Sequence, residues 1–281
     1  MKIIHTKEGI KQALAPHRQE ERTIGLVPTM GALHQGHLSL ITNAKRTSDI
    51  TVVSIFVNPT QFNNAADLER YPRPLERDVA LLEAAGVDYV FVPEVEEMYP
   101  EPTMLKFDFG ELEHMLEGEF RPGHFNGVGI IVSKLFHAVH PNHVYFGQKD
   151  LQQVAVIKRL IRDLFFDLQM IVVPTLREED GLAMSSRNAL LSEQDRSLAP
   201  FIYRSLSIAK DELIKGAKWF EVKKQIEARY QAEPRLRLEY FELVQSDTLE
   251  IADALNDRDT HAICAACYIG QVRLIDNLIV A

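Results

Sequence analysis

Two histidines three residues apart, His34 and His37, lie in the stretch PTMGALHQGHLSL, directly after a short apolar run. Imidazoles at this spacing could bind a metal ion, donate hydrogen bonds to phosphate oxygens, or pack in the interior. A catalytic zinc site needs a third protein ligand, and the chain has neither an HExxH motif nor a carboxylate placed to help. Gly31 and Gly36 let the backbone approach a ligand closely, and a helix N-terminus favours anions. We therefore expect a phosphate-binding turn here, with packing as the alternative.

Two other segments carry residues that bind phosphate. In REEDGLAMSSRN, Ser185, Ser186 and Arg187 are successive phosphate-type donors that follow a glycine in a polar loop. Serine also caps helices, but the adjacent arginine favours an anion clamp. In FGQKDLQQ, Lys149 lies where a strand ends and a helix should begin. It is well placed for a phosphate, and a solvated surface lysine is the alternative.

Neutral amides follow another apolar run. In SIFVNPTQF the run ends in Asn58, Pro59 and Gln61. Amide side chains at a strand end suit the recognition of hydroxyl and carboxylate groups, although a plain turn is the alternative. A third histidine group, in HAVHPNHVYF, is less promising, because Pro141 breaks any helix that would align its imidazoles.

The elements that must position these residues alternate between strands and helices. Continuous Val, Ile and Phe runs predict strands at 23–28, 49–57, 87–93, 143–147 and 168–174. Helical patterns fall at about 37–47, 74–85, 127–140 and 150–164. This alternation predicts an α/β fold with a Rossmann-like, doubly wound parallel sheet. Ligands of such sheets bind beyond the carboxyl ends of the strands, where most of the polar motifs lie.

The pattern changes after residue 176. SEQDRSLAPFIYRSLSIAKDEL predicts a helix with a serine N-cap, and a second helix spans about 219–231. Strand-like segments LEYFELV, THAICAACYIG and QVRLIDNLIV follow, the last two joined by a Gly270-Gln271 hairpin turn. We expect a first domain over residues 1–176 and a smaller α+β domain over 177–281, which carries MSSRN and closes over the site.

Composition narrows the possible partners. The formal net charge of −9 offers a nucleic-acid backbone no overall attraction. No apolar run approaches a membrane span, and the opening MKIIHTKEGI lacks the apolar stretch of a signal peptide, so we expect a cytoplasmic protein. Cys264 and Cys267 form a CxxC within an apolar strand. Residues three apart face opposite sides of a strand, which predicts two buried structural thiols.

The turn around His34 and His37, paired with a distant Ser/Arg loop, resembles the nucleotidyl-transferring superfamily that includes class I aminoacyl-tRNA synthetases. Six segments narrow the resemblance to the pantothenate synthetase (pantoate–β-alanine ligase) family over essentially the whole chain. They are VPTMGALHQGH, SIFVNPTQF, RPGHFNGV, FGQKD, MSSRN and RLIDN.

The resemblance implies a two-step ligation. ATP and (R)-pantoate give pantoyl adenylate and pyrophosphate, and the amine of β-alanine then displaces AMP to form pantothenate. It also implies Mg²⁺ on the ATP phosphates, with Asp78 as a contributor, and a homodimer.

The resemblance also implies roles for individual residues. Asn58, Gln61 and Gln153 would bind pantoate, and Gln61 would also meet β-alanine. Catalytic roles would fall to His34, His37, Lys149, Ser185, Ser186 and Arg187, with His37 as a proton donor. The ATP site would comprise Met30, Gly31, Ala32, Leu33, His34, Gln35, Gly36, His37, Gly147, Gln148, Lys149, Asp150, Leu176, Met184, Ser185, Ser186 and Arg187.

Two other functions share part of this pattern. A nucleotidyltransferase that stops after adenylation would keep the histidine turn but would not explain the amides of Gln61 and Gln153. A non-catalytic nucleotide sensor would need neither Lys149 nor Arg187. A tRNA synthetase is disfavoured because the chain is acidic and has no basic RNA-binding segment.

Overall fold

A computed structural model describes residues 1–63 and 65–280 of the chain. The chain divides into two compact units, one made of Met1–Gly147 and Val156–Val173 and the other of Gln148–Ala155 and Pro174–Ala281. The expected domain boundary between residues 176 and 177 stays a prediction. Among the described residues, no helix is long and apolar enough to cross a membrane.

The first unit is built on a parallel β-sheet. Its described strands are β1 (Lys2–Ile4), β2 (Ile24–Thr29), β3 (Ile50–Ile55), β4 (Tyr89–Phe91), β5 (His143–Gly147) and β6 (Gln169–Val173). They lie in the order β1-β4-β3-β2-β5-β6, and the described pairs are all parallel. The sequence pattern predicts β2 to β6 correctly. It misses β1, which is too short to show a pattern.

Consecutive residues of the central strands are buried. Leu26 and Val27 in β2 pair with Val52 and Val53 in β3, and all four have no exposed surface. Because successive side chains of a strand point to opposite faces, both faces of this sheet are covered. The continuous apolar runs therefore correctly predicted a sheet that is packed between helices.

The order of the strands identifies the edge at which a ligand should bind. The chain runs from β2 through β3 to β4 on one side, and from β5 to β6 on the other. The direction thus reverses between β2 and β5. In open α/β sheets, ligands bind outside the carboxyl ends of the strands at this switch point. The turn after Thr29 and the end of β5 at Gly147 both lie at that edge.

Helices connect these strands. They are α1 (Lys7–Gln19), α2 (Gln35–Thr47), α3 (Ala65–Arg70), α4 (Leu75–Ala84), α5 (Val95–Met98), α6 (Glu117–Phe120), α7 (His124–Val139) and α8 (Leu151–Asp163). Helices α2, α4, α7 and α8 confirm the four helices predicted in this region. Helix α7 begins at His124, three residues earlier than predicted.

The second unit packs helices on an antiparallel sheet. Its elements are α9 (Glu193–Leu198), α10 (Phe201–Ile214), α11 (Trp219–Gln231), β7 (Leu236–Gln245), β8 (His261–Ile269) and β9 (Val272–Ile279). Ser192 caps α9 as predicted, but the single helix expected after it is two, separated at Ala199 and Pro200. Ile269 pairs with Val272, so Gly270-Gln271 is the two-residue hairpin turn that was expected.

Both cysteines are buried in β8, as predicted. Cys267 belongs to the core beside Ile263 and Ala265, whereas Cys264 lies on the other face of the strand. The exposed fractions of Cys264 and Cys267 are 5% and 0%. Burial raises the pKa of the Cys267 thiol to about 12, which is the behaviour of an unreactive structural cysteine.

Candidate active site

The turn after β2 is shaped by a buried carboxylate. Gly31 and Ala32 adopt positive φ angles of 78° and 51°. The backbone N–H of Ala32 donates to Asp78 Oδ2 (2.7 Å) and that of Leu33 donates to Asp78 Oδ1 (2.8 Å). Each oxygen of Asp78 thus already accepts one backbone N–H, and the residue is only 1% exposed. The expected contact between Asp78 and Mg²⁺ stays a prediction, one that this geometry does not favour.

His34 and His37 form a reciprocal cap at the start of α2. His34 is the N-cap residue, and its Nδ1 accepts the backbone N–H of Gly36 at 3.1 Å. The Nδ1 of His37 accepts the backbone N–H of His34 at 3.4 Å, and the two rings lie 4.1 Å apart. A nitrogen that accepts a hydrogen bond carries no hydrogen, so each neutral ring is the tautomer with its N–H at Nε2. Both imidazoles are thereby prepared as Nε2 donors.

The structure offers these two histidines no third metal ligand among the described residues. Within residues 1–63 and 65–280, His34 and His37 belong to no group of three possible ligand atoms within 4.8 Å of one another. We therefore interpret His34 and His37 as donors to phosphate oxygens.

The amides of Asn58 and Gln61 meet in a buried network. Asn58 Nδ2 donates to Gln61 Oε1 (3.1 Å) and to the carbonyl of Gly127 (3.2 Å). The Oδ1 of Asn58 accepts the Tyr99 hydroxyl at 2.7 Å, and Gln61 Nε2 contacts Met30 Sδ at 2.8 Å. Asn58 is 1% and Gln61 8% exposed. Burial raises the pKa of the Tyr99 phenol, which keeps its proton on the bond to Asn58.

Helix α7 supports this network from its first turns. His124 Nδ1 bonds the carbonyl of Gln61 at 2.8 Å. A Cβ on Gly127 would lie 2.4 Å from the carbonyl oxygen of Thr60, so only glycine permits the helix to approach the Pro59–Gln61 turn this closely. These contacts give the RPGHFNGV segment a physical role: it sets the position of Gln61.

The second unit brings Lys149, Ser185 and Arg187 together. All three line one small pocket, whose wall also includes Arg273. Lys149 lies in a 3-10 turn, Gln148–Asp150, and its side chain is 19% exposed. Lys149 Nζ lies 3.5 Å from Asp150 Oδ1 and Arg273 is paired with Glu239. The remaining donors of the three cationic side chains and the Ser185 hydroxyl suit an anion. Residues that are distant in sequence thus line one small pocket whose side chains suit an anion.

A tight hairpin positions the serines. Arg177 and Ala183 form an antiparallel bridge, and Met184 N–H donates to the carbonyl of Leu176 at 3.0 Å. Ser185 then caps a 3-10 turn, Ser186–Leu190, with its Oγ accepting the N–H of Arg187 at 3.2 Å. The capping interpretation of Ser185 is therefore correct, and its hydroxyl hydrogen is still available to donate.

Two acidic residues hold the same hairpin to α9. Arg196 donates to Glu178 Oε2 and to Asp180 Oδ2, each at 2.6 Å. The hydrogen bond from Arg196 holds the pKa of Asp180 below its usual value. Charged contacts to Arg196 thus fix the segment before Ser185.

Comparison with known proteins establishes the family. A family model described as pantoate–β-alanine ligase matches residues 2–279. The chain belongs to the pantoate–β-alanine ligase family. It is 47% identical to a pantothenate synthetase of Bacteroides fragilis over 99% of this chain and 98% of that protein. A pantothenate synthetase of Porphyromonas gingivalis is 48% identical, with 99% of each chain covered.

Solved structures of the family share the fold. A crystal structure of pantothenate synthetase from Thermus thermophilus has a TM-score of 0.92 at 43% identity, covering 100% of this chain and 99% of that one. A pantoate–β-alanine ligase from Francisella tularensis, complexed with "Beta-gamma ATP and Beta-alanine", has a TM-score of 0.80 at 38% identity. It covers 99% of this chain and 97% of that one.

Several residues that the family resemblance implies as ligand-binding lie in partly or fully exposed positions. Gln153 is half-buried in the first turn of α8, and Asp150 is exposed. Leu176 is 39% exposed, and Met184 and Ser186 are half-buried. The structure places these residues without assigning them a contact to a ligand, so their roles stay predictions.

Sequence reasoning missed residues that support the site in this family member. Tyr99, His124 and the pair Asp276 and Asn277 contact site segments from remote positions in the chain. RPGHFNGV and RLIDN contain three of them, and both segments stood out in the sequence without any role. No sequence spacing links Asn277 to Lys149, so only the fold could reveal that contact.

Proposed function

We propose that this chain condenses (R)-pantoate with β-alanine, using ATP and passing through pantoyl adenylate, as its family does. The observation that carries this proposal is the pocket in which Lys149, Ser185 and Arg187 meet. Family membership supplies the substrates, and the pocket supplies the charge that the first chemical step requires.

In the first half-reaction, a carboxylate oxygen of pantoate attacks the α-phosphorus of ATP. The new P–O bond forms as the bond to the β-phosphate oxygen breaks, and pyrophosphate leaves. Negative charge grows on the leaving group, where preorganised donors are the strongest stabilisers available. We assign this stabilisation to Lys149 and Arg187, with the Ser185 hydroxyl as a further donor.

His34 and His37 would contact phosphate oxygens as neutral donors. Their Nδ1 atoms accept backbone N–H groups, so each Nε2 carries the hydrogen that a phosphate oxygen accepts. Because the cap fixes the rings before ATP binds, little reorganisation is needed in the transition state. The role of His37 as a proton donor is a further proposal.

In the second half-reaction, the amine of β-alanine attacks the acyl carbon of pantoyl adenylate. The C–N bond forms, the C–O bond to AMP breaks, and the nitrogen, which attacks as the neutral amine, loses one proton to solvent and keeps the other as the amide N–H. Gln61 would orient pantoate and the incoming amine, since Asn58 and His124 hold its amide and its backbone. Gln153 would contribute a second amide to pantoate.

Mg²⁺ is proposed to bind the ATP phosphates, where it would neutralise negative charge. Asp78 does not fit as its ligand, because both oxygens accept backbone N–H groups and the residue is 1% exposed. No step above depends on the ion. The homodimer, the cytoplasmic location and closure by the smaller domain stay predictions.

Pyrophosphate release tests the proposal. With ATP and pantoate alone, we expect a stoichiometric burst of pyrophosphate and enzyme-bound adenylate; adding β-alanine should give continuous turnover and AMP. Turnover that never responds to β-alanine would indicate a nucleotidyltransferase, and ATP binding without pyrophosphate would indicate a sensor. Sustained ADP formation would rule out the adenylate route.

A further inference from the structure

The amide of Asn277 is devoted to the turn that carries Lys149. Asn277 lies in β9 and is 2% exposed. Its Nδ2 donates to the carbonyl of Gln148 at 2.9 Å and to the carbonyl of Lys149 at 2.8 Å. Its Oδ1 accepts Gln148 Nε2 at 3.3 Å. All three bonds of this buried side chain therefore end on two consecutive residues.

A buried amide is costly unless it is fully hydrogen-bonded. The three bonds satisfy Asn277, and the bond to the carbonyl of Lys149 ties the backbone of that residue to β9. A lysine side chain is long and flexible, so a fixed backbone limits the space that its ammonium group can reach. Asn277 supplies that restraint.

The preceding residue restrains the other side of the pocket. Asp276, whose side chain has no exposed surface, accepts Arg177 Nη1 at 2.6 Å and Nη2 at 3.0 Å. Arg177 also donates to the carbonyl of Gly181 at 3.1 Å and stacks on Tyr203 at 4.0 Å. Arg177 begins the hairpin that leads to Ser185. Because neighbouring residues of a strand face opposite sides, β9 can hold both pocket segments at once.

We propose that Asn277 is a positioning residue for Lys149 in the adenylation step. Its two bonds to the carbonyls of Gln148 and Lys149, together with the bond from the Gln148 side chain, hold this turn so that the ammonium group reaches the pocket lined by Ser185 and Arg187. This inference rests on the proposed function, since it assigns Asn277 to one half-reaction of that function.

The test separates positioning from general stability. Asn277→Ala, Lys149→Ala and the double variant are compared in single-turnover pyrophosphate release and in the conversion of synthetic pantoyl adenylate with β-alanine. We expect Asn277→Ala to slow pyrophosphate release by about 10–10²-fold, the scale of a misplacement near 1 Å, and to leave the second half-reaction within about threefold. In the Lys149→Ala background the same substitution should cost less than about threefold.

Lys210→Met is the matched control. Lys210 Nζ donates to the carbonyl of Ile279 at 2.8 Å, so this variant also removes a bond to β9 but does not touch the Lys149 turn. Both half-reactions should stay near the wild-type rates. Asn277→Ser keeps one donor and should fall between wild type and Asn277→Ala, and it replaces the alanine variant if that one does not fold.

The outcomes are distinct. Equal losses in both half-reactions, or losses that multiply in the double variant, would overturn the positioning role while wild-type activity upholds the proposed function. A wild-type protein that releases no pyrophosphate from ATP and pantoate would overturn the proposed function, and this inference with it.

Discussion

Gly127→Ala should damage the proposed pantoate site around Gln61 without changing any residue of that site. The added Cβ would lie 2.4 Å from the carbonyl oxygen of Thr60 and 2.9 Å from the Cα of Gln61. Both neighbours are backbone, so neither can rotate away. Since ordinary contacts begin near 3.4 Å, helix α7 and the Pro59–Gln61 turn must separate by about 1 Å.

The separation has two measurable effects. Overpacking of this kind lowers the free energy of unfolding by about 1–3 kcal/mol. It also lengthens the bonds from Asn58 to Gly127 and from His124 to the carbonyl of Gln61, now 3.2 Å and 2.8 Å. A displacement near 1 Å at a substrate-binding residue costs about 10²-fold in rate. We expect this loss in kcat/KM for pantoate, with a much smaller change in KM for ATP.

Steady-state kinetics with each substrate varied, together with urea unfolding, provide the measurement. Gly129→Ala is the control, because its Cβ would meet the rings of Phe107 and Phe109 at 2.9 Å and 3.0 Å. Those side chains can move, so pantoate kinetics should stay near wild type. A folded Gly127→Ala protein with unchanged kcat/KM for pantoate would refute the idea that α7 positions Gln61.

Three further predictions follow from the second unit. Lys149→Ala should slow pyrophosphate release by about 10²–10³-fold and leave the conversion of supplied pantoyl adenylate near the wild-type rate, because pyrophosphate has already left. Cys267 should resist iodoacetamide at pH 8 in the native protein and react in denaturant, because a pKa raised to about 12 leaves a thiolate fraction of about 10⁻⁴. Asp276→Asn should lower the free energy of unfolding by about 3–5 kcal/mol in urea titrations, because the charge of Arg177 loses its buried partner.

A specific result would contradict each of these three predictions. A Lys149→Ala enzyme equally slow in both half-reactions would mean that the lysine organises the whole pocket. Rapid native alkylation of Cys267 would contradict its burial in the core of β8. An Asp276→Asn protein as stable as wild type would mean that the ion pair with Arg177 contributes no net stability.

Local patterns predicted most of the fold, because its main signals are local. Continuous apolar runs predicted β2 to β6, since burial on both faces leaves no room for alternation. The misses also have physical causes. The predicted helix start at residue 127 was three residues late, because Gly127 lies inside α7, where it is needed for close packing. Pro200 divides the helix predicted after Ser192, because proline cannot continue a helix from the preceding turn.

Candidate site residues could be proposed from the sequence where residue type alone suggests a chemistry. His34, His37 and Lys149 carry groups that suit phosphate wherever a turn presents them, and Ser185 and Arg187 gain weight by being adjacent. The supporting residues carry no such signal. Asn277 contacts Lys149 across 128 residues of sequence, and an asparagine in a strand is ordinary until its partners are known.

A side chain can cap a helix and still have a group available for a ligand. His34 and Ser185 are both helix caps, each accepting a backbone N–H through one atom. The cap leaves the hydrogen of His34 on Nε2 and leaves the hydroxyl hydrogen of Ser185 to donate, so the bond to the backbone selects which group faces a ligand. Asp78 is the opposite case, because both carboxylate oxygens accept backbone N–H groups and the residue is only 1% exposed. Whether such a residue can also bind substrate therefore depends on which of its donors and acceptors remain accessible.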